Sequence, residues 1–188
     1  MSELEFILDP SFLITWFRFR HRDLLKKIDA RYYILEDFFD VFSTGAMIRH
    51  LRENLGKLFR IIDYSEAEIS DAKTSIYKAI EEDERLCMMS GLAIKILAVA
   101  VTRDLRILSD SFCFHKFAMF YWNPSMVWSS YDLLKYMSEE GIIEDLKNVL
   151  KDFSEDTNTV LLRISRTENF ETLARGETHE EKTEDDDS

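Results

Sequence analysis

The chain has 188 residues, of which 46% are apolar, which is enough for one domain with a real core. Its 5 Gly and 2 Pro exclude collagen-like, low-complexity and turn-dense all-β architectures. The formal charge is −12, half of it in the last twelve residues, so indiscriminate attachment to nucleic-acid phosphate is excluded.

The first residues, Met1-Ser2-Glu3-Leu4-Glu5, carry no basic leader and no apolar stretch with a cleavage site follows them. The longest apolar stretch, residues 91–101, is interrupted by Lys95 and falls short of the ~20 residues a bilayer demands. Cys87 and Cys113 belong to no Cys-x-x-Cys pair and are expected as small buried hydrophobes. A soluble, cytoplasmic protein with no membrane attachment is expected.

Leu4-Glu5-Phe6-Ile7-Leu8-Asp9 reads as a short strand ending on an acid, with Pro10 stopping it. Ser11 then caps a helix reaching about Asp29, with Phe12, Trp16, Phe19 and Leu24 near helical spacing. Tyr32-Tyr33-Ile34-Leu35 is a second strand, followed by helical segments over residues 36–42 and 46–58, with Gly45 as the break. Phe59-Arg60-Ile61-Ile62-Asp63 is a third strand, and Ser65 with Glu68 has capping-box spacing for a helix to about Glu81. Another helix is expected from Asp83 or Glu84 to about Ile96. Ala98-Val99-Ala100-Val101-Thr102 then reads as a buried parallel strand.

Residues 105–121 are predicted helical and unusually aromatic, with Phe112, Phe114, Phe117, Phe120 and Tyr121 followed by Trp122. Such a helix is either buried all round or a partner surface; the second alternative predicts a homodimer. Met126-Val127-Trp128 is a last short strand, Ser130 caps a helix that Gly141 ends, and a final helix covers residues 142–153. The alternation defines an α/β domain over residues 1–160, a short central parallel sheet flanked by helices as a three-layer sandwich. Residues 161–188 are too polar to build a core and are expected as a disordered acidic tail.

Open parallel sheets bind ligands beyond the carboxyl ends of their strands. Two predicted strands end in acids, Asp9 and, after Val101-Thr102-Arg103, Asp104. Asp40 and one of Asp83 or Glu84 lie near helix ends that reach the same edge. Carboxylates about 5 Å apart repel by roughly 3 kcal/mol per pair at an effective dielectric near 20, so such a cluster calls for protons or a cation. Hard oxygen ligands select Mg²⁺ or Mn²⁺, which activate water for phosphodiester hydrolysis. For each acid there is also a plainer reading, as a helix cap or a solvated charge.

At these residues the chain resembles the PIN domain family. Phe6-Ile7-Leu8-Asp9-Pro10-Ser11-Phe12-Leu13-Ile14 is similar to the opening strand and first helix of that family, and Val101-Thr102-Arg103-Asp104 to its late Thr-x-Asp element. Trp128-Ser129-Ser130-Tyr131-Asp132-Leu133-Leu134 and Gly141-Ile142-Ile143 resemble its C-terminal helices, so the resemblance spans about residues 4–155. It implies a metal-dependent ribonuclease, a VapC-like toxin or an RNA-processing enzyme, with three or four acids around Mg²⁺ or Mn²⁺. Carried over, Asp9 is the first acid, Asp40 the second with Glu36 behind it, and Asp104 the late one. Thr102 and Ser11 are the accompanying hydroxyls.

Two departures stand out. The family's third acid falls on Leu86 in the ungapped register, and Asp83 or Glu84 fits only with a small insertion; Pro10 replaces a small hydroxyl residue. The alternative implied is a catalytically degenerate binding or scaffold subunit of an RNA-processing or toxin–antitoxin complex, with a protein partner or antitoxin. Arg18, Arg20 and Arg22, with Lys26 and Lys27, are interleaved with Trp16, Phe17 and Phe19 and are candidates for guiding an RNA backbone. The plainer reading of that stretch is an amphipathic helix with its bases outward.

Overall fold

The computed structural model describes residues 4–38 and 59–158. Five parallel strands, β1 (Leu4–Leu8), β2 (Ala30–Leu35), β3 (Phe59–Ile62), β4 (Arg106–Leu108) and β5 (Val127–Trp128), form one sheet in the order β3-β2-β1-β4-β5. All four pairings are parallel, as the predicted α/β architecture requires.

Side chains alternate across the sheet, and this divides the core in two. Phe6 and Leu8 of β1 join one apolar cluster while Ile7 joins the other. Leu108 and Ile107 of β4 divide the same way, as do Ile34 and Leu35 of β2. One layer contains α1 (Pro10–Arg18), α5 (Ser130–Glu139) and α6 (Leu146–Thr157), which supply Phe12, Leu133 and Phe153 to the first cluster. The other contains α2 (Glu66–Glu82), α3 (Gly91–Arg103) and α4 (Phe112–Tyr121), which supply Ile69, Leu97 and Phe114 to the second. This is the expected three-layer sandwich, and β1 is buried on both sides because it lies at the centre.

Several boundaries differ from the sequence expectation. The run from Ala98 to Thr102 is not a strand: it ends α3, and Asp104 closes that helix in the left-handed region at φ 54°. Ile96 to Ala100 are all buried, so no polar positions remain to mark the helical period. The strand is instead β4, whose three residues are too few to display a period of their own.

Nor does a helix begin at Asp83 or Glu84. Asp83 is the C-cap of α2, and α3 starts only after Ser90, whose hydroxyl accepts from the Ala93 N–H. The first helix stops at Arg18, and a 3-10 turn, Arg22–Lys27, completes the connection to β2. Ser129, not Ser130, caps α5, and the last helix begins at Leu146.

Cys87 and Cys113 are not isolated apolar fillers; they are joined in a disulfide with Cα atoms 5.4 Å apart. Among the described residues no helix is long and apolar enough to cross a membrane. The helical segments expected beyond Phe38, Asp40 among them, and the acidic tail lie outside the described residues.

Candidate functional site

The carboxyl ends of β1, β4 and β5 lie side by side. The ladder continues one residue past each strand: the Asp9 N–H donates to the Leu108 carbonyl at 3.0 Å, and the Ser109 N–H to that of Trp128 at 2.9 Å. Asp9, Ser109 and Ser129 therefore form a row across three adjacent strand ends, where ligands of parallel sheets bind.

Asp9 stands at the N-cap position of α1, where the Ser11 backbone N–H acts on its carboxylate without forming a regular cap. The carboxylate accepts, at Oδ2, from the Ser11 hydroxyl and from the Ser109 hydroxyl at 3.0 Å. Ser109 Oγ in turn accepts from the Ser111 N–H at 3.0 Å. The Ser109 carbonyl accepts from His115 Nε2 at 2.9 Å, so that ring nitrogen carries the hydrogen. Asp9 is 6% exposed. Burial pushes its carboxyl above the ordinary range; the two serine hydroxyls oppose the shift and the neighbouring charge of Asp110 adds to it.

Asp110 follows directly. Its carboxylate accepts from the Ser130 N–H at 2.7 Å and the Ser130 hydroxyl at 2.6 Å. Burial raises this carboxyl too; Ser130 opposes the rise and Asp132 adds to it. Asp132 closes the row through a capping box, accepting from the Ser129 N–H and hydroxyl, each at 2.9 Å. Three carboxylates thus lie along one sheet edge, Asp9 sensing the charge of Asp110 and Asp110 that of Asp132.

This is not the set expected from the sequence. Asp9 and Ser11 are in place. Asp104 and Thr102 are not: both are exposed at the end of α3, ahead of β4. The whole of that strand, roughly 10 Å at ~3.3 Å per residue, separates them from Ser109 and Asp9. Asp83 bonds Arg85 and the Tyr121 hydroxyl, which closes the far end of α4, about 15 Å by helical rise from the end beside Asp110. The Arg85 hydrogen bonds hold its carboxyl well below the usual range. Glu84 is exposed beside it.

The basic stretch also lies elsewhere. Nine residues of α1 carry Arg18 about 13 Å from Asp9. Arg18 is exposed, whereas Arg20 is committed to α6, 2.7 Å from Asp156 and 3.2 Å from Asp152. Arg22 is half-buried, and its carbonyl accepts from Trp16 Nε1 at 3.0 Å.

The aromatics of α4 are largely consumed within the chain. Phe114 and Phe117 are buried, and Arg85 sits 4.2 Å over the Phe120 ring. A second polar cluster lies at the ends of β2 and β3, where Asp37 accepts from the Tyr64 hydroxyl at 2.6 Å and pairs with Lys95. Burial alone would raise the Asp37 carboxyl; Lys95 and Tyr64 outweigh it and hold it low.

The sequence reading missed Ser109, Asp110, Ser130 and Asp132. The available signal was Ile107-Leu108-Ser109-Asp110, an apolar pair followed by a hydroxyl and an acid, as at Ile7-Leu8-Asp9. Among the described residues no group of three or more His, Cys, Asp or Glu side chains is arranged to hold a metal ion. Compared with protein families, curated proteins and solved structures, the chain matches none.

Proposed function

We propose that this is a PIN-like, divalent-cation-dependent ribonuclease whose working centre is the pair Asp9 and Asp110, with Ser109 between them. The observation carrying this reading is Asp9: a carboxylate buried at the carboxyl end of the central strand and aligned by two hydroxyls. Burying a carboxylate is costly unless hydrogen bonds or a bound cation compensate it, and such perturbed carboxyls gather at functional sites.

The donor set is all oxygen and suits a hard cation. Mg²⁺ is commonly held by one or two carboxylates, the rest of its shell coming from water and substrate phosphate, so a third acid is not demanded. Asp9 and Asp110 would hold the ion, which supplies polarisation of the phosphate and activation of water. Ser109 keeps Asp9 aligned, and Ser130 does the same for Asp110. The substrate is RNA, and in a toxin–antitoxin setting a protein antitoxin is the partner. A homodimer belongs to the same reading.

Cytoplasmic placement is also part of it, and Cys87–Cys113 bears on that placement, since disulfides in that compartment are usually transient or redox-sensing.

One observation favours a second reading. Both oxygens of Asp110 are already taken by Ser130, as in a cap, which suits a catalytically degenerate binding or scaffold subunit. Labelled RNA incubated with Mg²⁺, with Mn²⁺ and with EDTA separates the two. The nuclease predicts cleavage that EDTA abolishes and that Asp9→Asn or Asp110→Asn lowers by at least about 100-fold. Cleavage that survives EDTA and both substitutions overturns the site; RNA retention without cleavage in any metal supports the scaffold.

A further inference from the structure

The segment between α2 and α3, residues 83–90, lies along one side of α4. Asp83 bonds the Tyr121 hydroxyl, Arg85 covers Phe120, and Cys87 is joined to Cys113 in the first turn of that helix. The ties at the far end are a hydroxyl–carboxylate hydrogen bond and an exposed cation–π contact, each individually weak. The covalent tie is made at the other end, beside the acids.

Two residues before Cys113, the Ser111 N–H donates to Ser109 Oγ, whose hydroxyl donates to Asp9. The disulfide thus anchors the end of α4 that supports the buried carboxylate. Both cysteines are half-buried rather than enclosed in the core, and Met88 beside Cys87 is 85% exposed.

We propose that Cys87–Cys113 is a thiol–disulfide exchange site for low-molecular-weight thiols, and that its redox state sets the order of segment 83–90 and of the head of α4. A thiolate of the glutathione class attacks one sulfur, forming a mixed disulfide and releasing the other cysteine as a thiolate, which takes a proton. A second small thiolate attacks the mixed disulfide and liberates the second cysteine. The balance is protein disulfide plus two small thiols giving protein dithiol plus one small disulfide. Reduction leaves the segment held by its surface ties, the Ser90 cap of α3 and the packing of Leu86 and Met89.

The full-length protein is equilibrated in reduced or oxidised glutathione and followed by amide hydrogen exchange with mass spectrometry. Reduction is expected to speed exchange in residues 83–90 and 111–117 by about tenfold or more, while β1 and β2 stay unchanged. In Cys87→Ser, exchange in those segments is fast in both buffers. Equal exchange of the wild-type segments in both buffers overturns the proposal. So does finding both thiols free to titrate after equilibration with oxidised glutathione.

Discussion

The Ser109 hydroxyl donates to Asp9 Oδ2 at 3.0 Å, joining the ends of two adjacent strands whose residues are one hundred positions apart in the chain. A neutral hydroxyl aimed at a buried carboxylate favours its charged form, opposing the effect of burial. Ser109→Ala removes that donor and leaves the Ser111 N–H without its acceptor. The variant should lose about 1–3 kcal/mol in denaturant unfolding. The Asp9 carboxyl, followed by NMR, should titrate at higher pH than in the wild type. An unmoved titration would mean that the hydroxyl does not govern the charge of Asp9.

Asp9→Asn should make the protein more stable at pH 7. The folded-state pKa of Asp9 is raised, so between its ordinary value of 3.8 and the folded value the native state binds more protons than the unfolded one. Stability from this group is therefore present at low pH and falls as pH rises through that window. The amide avoids the charge, so the gain should be present at pH 7 and shrink towards pH 4. Glu66, Glu68 and Asp156 have lowered values and act in the opposite sense, their contribution being lost as pH falls. They are common to both proteins and cancel in the comparison. Melting curves from pH 4 to 8 check it; a variant less stable at every pH would make Asp9 a structural group.

Arg20 fastens α6 to the end of α1 through Asp152 and Asp156. Arg20→Ala should lower the melting temperature at low ionic strength, with the deficit narrowing in high salt as the exposed charges are screened. Asp156→Asn should reproduce the effect, and the double variant should add little to it. If RNA affinity fell in Arg20→Ala while the melting temperature held, the residue would be a nucleic-acid contact instead.

Phe153 of α6 is fully buried, with its ring centroid 4.9 Å from that of Phe19 and 5.8 Å from that of Trp16. Phe153→Ala should cost about 3–5 kcal/mol, as lost transfer energy plus an unfilled cavity. Denaturant midpoints measure it, and Phe153→Leu should recover most of the loss.

The parallel sheet is legible in the sequence where strands are long enough to show their pattern. The runs at Leu4–Leu8, Tyr32–Leu35 and Phe59–Ile62 combine aromatic or β-branched residues with clear punctuation, and strands lie there, the second one starting at Ala30. The Ser65 cap of α2 was equally plain, because a cap is a contact between residues three apart. The β4 region defeated the reading for a physical reason: α3 is buried over Ile96–Ala100, so its end looks like a strand, while the true strand has three residues. The same reading puts the late strand-end acid at Asp104, whereas the acid just past β4 is Asp110.

What the sequence determined by itself was local: composition, hydrophobic period, caps, and an acid closing the first strand. Those signals depend on neighbours within a turn or two of chain. Which carboxylates share an edge, and that Cys87 meets Cys113, was decided only by tertiary structure. Both depend on the β1–β4 register and on how residues 83–90 lie against α4, and these are set by packing between distant segments that leaves no periodic trace in the chain.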